Sequence, residues 1–155
     1  MREHIFTAEL WLPQARPVVF DFFADISHLQ QITPPFVHLK VLTPAPIQMR
    51  VGALIDHRLR LHGIPICWRT GITAWEPPFH FVDEQLRGPY RRWVHEHTFE
   101  ERDGGTLMKD TVRYAVWGGR LIEALFVRRD VRRLFEFRRQ KLLELFAPAG
   151  SQTGG

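Results

Sequence analysis

Residues 93–114 read WVHEHTFEERDGGTLMKDTVRY and contain two alternating segments on either side of Asp103-Gly104. An Asp-Gly dipeptide between alternating segments is a strong short-range signal of a β-hairpin with a two-residue turn. A two-residue turn at this position fixes the register of both strands. It predicts three opposed pairs, which are His97 with Asp110, His95 with Val112 and Trp93 with Tyr114.

The two strands of this hairpin carry ionisable groups on their apolar faces. Successive side chains of a strand point to opposite faces. One face of the first strand therefore holds Trp93, His95, His97 and Phe99. The matching face of the second strand holds Met108, Asp110, Val112 and Tyr114. A face that is mostly aromatic and aliphatic, yet includes imidazole and carboxylate groups, is more typical of a cavity wall than of a plain core.

A second hairpin precedes the first one along the chain. A three-residue loop at Gly88-Pro89-Tyr90 predicts two further opposed pairs, which are Asp83 with His95 and Gln85 with Trp93. Two carboxylate–imidazole pairs are then expected side by side, Asp83–His95 and His97–Asp110. A carboxylate fixes the tautomer of its imidazole and raises the pKa of that ring. Such pairs suit the bracing of a sheet, the binding of a polar ligand group or acid–base catalysis, and the sequence leaves all three open.

The remaining pattern predicts an α+β domain with about seven antiparallel strands, in the order of one strand, two short helices, six strands and a long helix. The first strand covers residues 5–12, and Pro17 lies in the first turn of the first helix. The second short helix is expected over 25–32 and the second strand over 37–42. Residues 1–147 are expected to form a single domain.

Three further expectations concern single segments of the chain. Gly63-Ile64-Pro65 is expected to turn the chain between two long strands. Trp75 is expected on the less buried face of its strand. Residues 148–155 are rich in Gly, Ser and Pro, which predicts a disordered tail.

The last predicted helix, over residues 121–146, is amphipathic. Steps of three and four predict a buried stripe of Val127, Val131, Leu134, Phe135, Arg138, Leu142 and Leu145. A strongly curved sheet needs its concave face covered, and this helix is the only long amphipathic element available. A pocket is therefore expected between helix and sheet. Arg138 would either extend to solvent or pair with Asp110, or else meet the carboxylate or phosphate of a ligand.

Composition excludes several classes of function. The single cysteine, Cys67, allows no internal disulfide, and no apolar run approaches the roughly 20 residues that span a bilayer. No signal peptide is recognisable, so a cytoplasmic location is expected. The net charge of +4 arises largely from arginines on the last helix, where they cover a solvated face. Without a binding motif, this charge does not predict a nucleic-acid partner.

The chain resembles the START-like helix-grip superfamily, also called SRPBCC, and in particular its bacterial ligand-binding group. The resemblance covers nearly the whole chain up to Phe146. It is carried by 29–36 (LQQITPPF), 41–44 (VLTP), 61–70 (LHGIPICWRT), 72–78 (ITAWEPP), 81–85 (FVDEQ), 88–90 (GPY) and 93–99 (WVHEHTF). It implies a curved sheet wrapped around the C-terminal helix, with a ligand cavity between them. It also permits a polyketide cyclase/dehydrase-like activity, or an accessory role beside a sugar-nucleotide epimerase-like enzyme.

The interpretation favoured by the sequence is a domain that binds a small hydrophobic or amphipathic molecule. The residues expected to contact it are His57, Leu59, Trp68, Phe81, Asp83, Gln85, Trp93, His95, His97, Asp110, Val112, Tyr114, Val131, Leu134, Phe135 and Arg138. Ile55, Ile66 and Phe99 are expected in the same walls. The enzymatic alternative uses His95, His97, Asp83 or Asp110 to move a proton at a carbonyl compound.

A metal site is the sharper alternative for the same residues. His95-x-His97 points two imidazoles the same way, and Asp83, Asp110 or His57 could add a third ligand. His-x-His alone is a weak signal, and carboxylates that serve as histidine partners are not free to ligate. No metal or other cofactor is therefore expected, and the sequence assigns no oligomeric state.

Overall fold

The computed structural model describes residues 2–147 as strands, helices and their connections. The strands are β1 (His4–Leu12), β2 (Lys40–Val41), β3 (Leu54–Leu61), β4 (Ile64–Glu76), β5 (His80–Arg87), β6 (Arg92–Arg102) and β7 (Gly105–Ala115). The helices are α1 (Arg16–Ala24), α2 (Gly119–Ile122) and α3 (Arg128–Leu145). A π-helical segment, Glu123–Val127, joins α2 to α3. The predicted order of elements is therefore confirmed, except that the second short helix is reduced to single turns.

The strands form one antiparallel sheet in the order β1-β7-β6-β5-β4-β3-β2. The sheet is curved, and α3 packs across its concave face. The ring of Phe135 on α3 lies 4.9 Å from that of Phe6 on β1 and 5.5 Å from that of His95 on β6. No helix in the described part of the chain is long and apolar enough to cross a lipid bilayer.

The register of the central hairpin follows from its turn. Asp103 and Gly104 have φ angles of 51° and 76°, as a type I′ turn requires. The three predicted pairs of β6 and β7 are all observed. The predicted pairing of Asp83 with His95 between β5 and β6 is also observed. These pairings place the ionisable residues of three adjacent strands at the same level of the concave face.

The turn predicted at Gly63-Ile64-Pro65 is wrong by one residue. The turn is His62-Gly63, with φ angles of 50° and 78°, and Ile64 and Pro65 already belong to β4. His62 adopts the left-handed conformation that Gly63 shares, so the β3–β4 hairpin closes with the same type of two-residue turn as β6–β7. The prediction is right about Gly63, but the second residue of the turn is His62 rather than Ile64.

Trp75 corrects a second expectation, because it lies on the buried face of β4. The register between β4 and β5 shifts between Ile72 and Ala74, as in a β-bulge. One extra residue reverses the alternation, so that Trp75 pairs with Phe81 and packs against Phe20, with ring centroids 5.3 Å apart. Strict alternation from Ile72 onward predicts the opposite, less buried face for Trp75.

The segment between α1 and β3 is less regular than predicted. Instead of a helix over 25–32 it forms a 3₁₀ turn, Ile26–His28, whose first turn is capped by Asp25 accepting from Ser27 N at 3.0 Å. Instead of a strand over 37–42 it forms a second 3₁₀ turn, Pro35–Val37, and the short strand β2. His38 adopts a left-handed conformation with φ 51°, which separates the two. The predicted tail at 148–155 lies outside the described residues.

The buried stripe of α3 is confirmed for Val131, Phe135, Arg138 and Leu142. Val127 and Leu134 are half-buried beside it. Leu145 is 46% exposed, so its predicted burial is wrong. The stripe takes a step of four after Leu142, and Phe146 occupies the inner position against Phe22 at 5.2 Å.

Candidate ligand-binding cavity

A cavity of about 390 Å³ lies between the concave face of the sheet and α3. Its sheet wall includes Ile55, Leu59, Trp68 and Trp93, and α3 contributes Val131, Leu134 and Phe135. Ile66 and Phe99, which were also expected here, do not lie on the wall. The lining is mainly aliphatic and aromatic, as in most small-molecule sites.

The third side of the cavity is formed by residues 22–39, which we call the outer wall. Its lining side chains include Phe22, Phe23, Ile26, Leu29, Ile32 and Phe36. Tyr90, from the β5–β6 loop, also lies on the cavity and contacts the rings of Trp68 and Trp93. The sequence analysis did not assign these residues to the site. The apolar spacing at 26, 29 and 32 was the available signal, but it indicated a helix without showing what that helix would cover.

Most of the predicted ligand contacts lie on the cavity wall. They are His57, Leu59, Trp68, Phe81, Asp83, Trp93, His95, His97, Val131, Leu134, Phe135 and Arg138. Four predicted contacts do not: Gln85, Asp110, Val112 and Tyr114. These four are corrected because other parts of the protein cover or engage them.

Gln85 braces a loop and does not face the cavity. Its side-chain amide donates to the carbonyl of Tyr90 at 2.8 Å and accepts from the Tyr90 N–H at 3.1 Å. Val112 is completely buried in a core cluster with Val131 and Phe135. Tyr114, in the same cluster, donates its hydroxyl to Glu123 Oε1 at 2.9 Å. Gln85 and Tyr114 therefore have hydrogen-bond partners within the protein, and Val112 is covered by core side chains.

Asp83, His95, His97 and Asp110 form a compact buried cluster, but their shortest hydrogen bonds are diagonal. His97 donates from Nε2 to Asp83 Oδ2 at 2.6 Å, and His95 donates from Nε2 to Asp110 Oδ1 at 2.8 Å. The directly opposed pairs are longer, 3.9 Å from His95 Nδ1 to Asp83 Oδ2 and 3.3 Å from His97 Nδ1 to Asp110 Oδ1. The two imidazoles stack with centroids 3.7 Å apart, so each ring reaches both carboxylates.

The electrostatics of this cluster separate the two histidines. Burial opposes ionisation of Asp83 and Asp110, but the charges and hydrogen bonds of the histidines outweigh it and lower the pKa of both carboxyls. Burial and the neighbouring His97 lower the pKa of His95. Burial acts on His97 in the same direction, but its contacts with Asp110 and Asp83 raise its pKa above the ordinary value. His97 is therefore the more readily protonated ring.

Arg138 is largely buried and forms no ion pair with a carboxylate in the described chain. Its side chain is 8% exposed, and its guanidinium lies 5.2 Å from the centroid of the Phe135 ring. Within residues 2–147, no hydrogen bond or ion pair within 4.0 Å is formed by this guanidinium, and its buried Nε has no partner. The pairing with Asp110 and the extension to solvent considered from the sequence are both corrected. Burial lowers the pKa of Arg138, and only the more distant charges of Asp110 and Asp83 oppose this.

His57 and His97 are further incompletely satisfied groups on the wall, because within residues 2–147 the buried Nδ1 of each has no hydrogen-bond partner. His57 is buried, and its Nε2 lies 3.3 Å from Thr70 Oγ1. Burial lowers the pKa of His57, which favours the neutral ring. An unsatisfied buried polar atom costs about 1–3 kcal/mol, so His57 and Arg138 both gain from a ligand with suitable polar atoms.

A set of metal-ligand atoms also lies on this wall. Asp83, His95 and His97 each offer one such atom, and the three atoms lie within 4.8 Å of one another. Nitrogen and carboxylate donors in this combination suit a divalent transition metal.

A curved antiparallel sheet that holds a long C-terminal helix over a lined cavity defines the START-like helix-grip class. The chain belongs to the family described as polyketide cyclase/dehydrase and lipid transport, whose model matches residues 12–139. The predicted superfamily and fold are therefore confirmed. No curated protein matches the sequence.

Solved structures share this fold at low sequence identity. CV1439 from Chromobacterium violaceum has a TM-score of 0.74 and 13% identity, over 93% of this chain and 97% of that one. Ara h 8.0201 has a TM-score of 0.71 and 15% identity, over 94% and 98% of the two chains. Major latex-like protein 151 from Panax ginseng has a TM-score of 0.69 and 11% identity, over 94% and 99%. These similarities show the fold.

Proposed function

We propose that this protein binds a small, largely apolar molecule that carries a polar group at one end. The observation that carries the proposal is the cavity of about 390 Å³, apolar over most of its wall, with Arg138 and His57 incompletely hydrogen-bonded beside it. A volume of this size suits a small organic molecule rather than a few waters. The apolar wall supports affinity, and the polar groups support orientation.

The polar end of the proposed ligand is a hydrogen-bond acceptor. A guanidinium has only donors, and that of Arg138 has no carboxylate oxygen within 4.0 Å in the described chain. A carbonyl, phenolate or carboxylate oxygen would complete its hydrogen bonds. A hydrogen bond to a charged group contributes about 1.5–3 kcal/mol, which corresponds to roughly a tenfold to hundredfold gain in affinity.

The location of binding is tested with the uncharged fluorescent probe N-phenyl-1-naphthylamine. Leu134→Trp places a larger side chain into the cavity, and Leu143→Trp introduces the same change at an exposed position of α3 outside it. We expect one probe to bind per wild-type chain, a loss of affinity of about tenfold or more in Leu134→Trp, and no change in Leu143→Trp. No binding by the wild type, or equal losses in both variants, would refute the proposal.

A second candidate function is proton transfer at a carbonyl compound, as in a cyclase/dehydrase-like enzyme. Its support is that His97 lies on the cavity wall and is held by Asp83 at 2.6 Å, an arrangement that can orient an imidazole for proton transfer. The accessory role beside an epimerase-like enzyme has less support, because such a role would not need an open cavity. A cytoplasmic location and a single domain over 1–147 stay predictions.

A further inference from the structure

Asp110 lies beside one nitrogen of each histidine in the buried cluster. Its Oδ1 accepts from His95 Nε2 at 2.8 Å and lies 3.3 Å from His97 Nδ1. Asp110 itself does not line the cavity. Asp110 therefore orients His95 by a hydrogen bond and lies close to His97, while the remaining nitrogens of the two rings lie nearer to Asp83. Metal-bound histidines are commonly held in this way by an outer carboxylate.

The other nitrogen of each ring lies near the same oxygen atom of Asp83. Asp83 Oδ2 lies 2.6 Å from His97 Nε2 and 3.9 Å from His95 Nδ1. Because His95 uses its Nε2 proton for Asp110, the Nδ1 of a neutral His95 is an acceptor. A lone pair and a carboxylate oxygen thus face each other with no proton between them, an arrangement that a cation would stabilise.

From this arrangement we infer a binding site for a divalent transition metal such as zinc, formed by Asp83 Oδ2, His95 Nδ1 and His97 Nε2. Bonds of about 2.0–2.2 Å in a tetrahedral site separate ligand atoms by roughly 3.4 Å, between the two distances observed here. The metal takes the place of the His97 Nε2 proton, and the three ligand atoms, which already lie within 4.8 Å of one another, adjust around it. The fourth position faces the cavity, because all three ligands lie on its wall.

The surrounding charges fit a cation at this position. Asp83 and Asp110 supply two negative charges, and His57 and Arg138 are buried ionisable groups on the same wall whose charged forms burial disfavours. Arg138 forms no ion pair within 4.0 Å with either carboxylate, so its guanidinium does not compete with a metal for Asp83. The inference goes beyond the proposed function and does not rest on it, since the three ligands are side chains of the protein and need no organic molecule.

The test uses the full chain after removal of metal by a chelator. Co²⁺ is titrated and its visible absorption recorded, and the affinity for Zn²⁺ is measured by calorimetry. We expect one ion per chain with the spectrum of a four-coordinate site. Asp110→Asn should weaken binding by roughly 10–100-fold, as is typical for an outer-shell partner. Asp83→Asn and His97→Gln remove ligands and should weaken it further.

His80→Gln provides the matched control. His80 also lies beside two carboxylates, 3.7 Å from Glu76 and 3.1 Å from Glu96, but outside the cavity. Its replacement should leave Zn²⁺ affinity unchanged, and circular dichroism checks that each variant folds. The ring nitrogens of His95 and His97 in the wild type should also shift in nitrogen NMR spectra when Zn²⁺ is added. No stoichiometric binding, unchanged ring signals, or binding lost in His80→Gln and kept in Asp83→Asn would overturn the inference.

Discussion

Two buried clusters of charged residues differ in how completely their hydrogen bonds are satisfied. At the start of the last helix, Glu123 is 1% exposed and accepts from Tyr114 Oη at 2.9 Å and from Arg128 Nε and Nη2 at 3.0 and 2.7 Å. Beside the cavity, Arg138 is also buried, but among residues 2–147 its Nε finds no partner. Both carboxylate oxygens of Glu123 accept hydrogen bonds, whereas the guanidinium of Arg138 has donors without acceptors in the described chain. The comparison indicates that the first stabilises the fold and the second binds a ligand.

The largest effect on stability is expected at Glu123. Glu123→Ala removes the acceptor of three hydrogen bonds and should lower the free energy of unfolding by about 2–3 kcal/mol, the upper range for charged hydrogen bonds. Urea unfolding followed by circular dichroism measures this, with the exposed Glu144→Ala as the control on the same helical region. A loss no larger than that of the control would contradict a stabilising role.

Acid should remove the contribution of Glu123. Burial raises the pKa of this carboxyl, but hydrogen bonds from Arg128 and Tyr114 outweigh it and bring the pKa below the ordinary 4.5. A lowered pKa means that the stabilisation is complete above pH 4.5 and disappears as the pH falls through the folded value. The difference in unfolding free energy between wild type and Glu123→Gln should therefore be constant above about pH 6 and shrink below 4.5. A difference that grows in acid would show the opposite sign.

Tyr114→Phe should have a smaller effect. It removes one hydrogen bond to Glu123 and keeps the ring within its core cluster, so a loss of about 0.5–1.5 kcal/mol is expected. Absorption spectroscopy offers a second readout, because burial and Glu123 raise the pKa of Tyr114 to about 12. Titration of this tyrosine near pH 10 in the wild type would contradict the contact.

Arg138→Met should change stability least. The replacement keeps an aliphatic side chain against Phe135 and removes a buried cation that forms no hydrogen bond with the described part of the chain. We expect an unfolding free energy within about 1 kcal/mol of wild type, on either side, because lost charge interactions with Asp83 and Asp110 offset the relief of burial. A loss above about 3 kcal/mol would place Arg138 with Glu123 as a stabilising residue.

The sequence predicted the parts of the site that depend on local chemistry. Asp103-Gly104 fixed the β6–β7 register, and this placed His95, His97 and Asp110 on adjacent strands at one level. Alternation also predicted that the histidines point inward. The diagonal pairing was not predictable, because it depends on how two imidazoles stack at 3.7 Å.

Features that depend on irregular backbone or distant segments were missed. The bulge near Ile72 reverses the face of Trp75, and alternation contains no signal for an extra residue. The outer wall over 22–39 is held by turns, so helical and strand periodicity did not describe it. The buried hydrogen bonds of Glu123 were not predicted because its partners lie on other elements, Arg128 on the next helix and Tyr114 on β7.

The most direct measurement compares two probes that differ in one group. 8-Anilinonaphthalene-1-sulfonate is N-phenyl-1-naphthylamine with an added sulfonate, and the dissociation constants of both are measured for wild type, Arg138→Met and Arg139→Met. Arg139 is exposed on the same helix and serves as the control. We predict that Arg138→Met weakens binding of the sulfonate probe by roughly 10–100-fold and leaves binding of the uncharged probe unchanged. Arg139→Met should not show this difference between the two probes. Equal effects on both probes, or equal effects of both variants, would contradict a cavity that uses Arg138 to bind the polar end of its ligand.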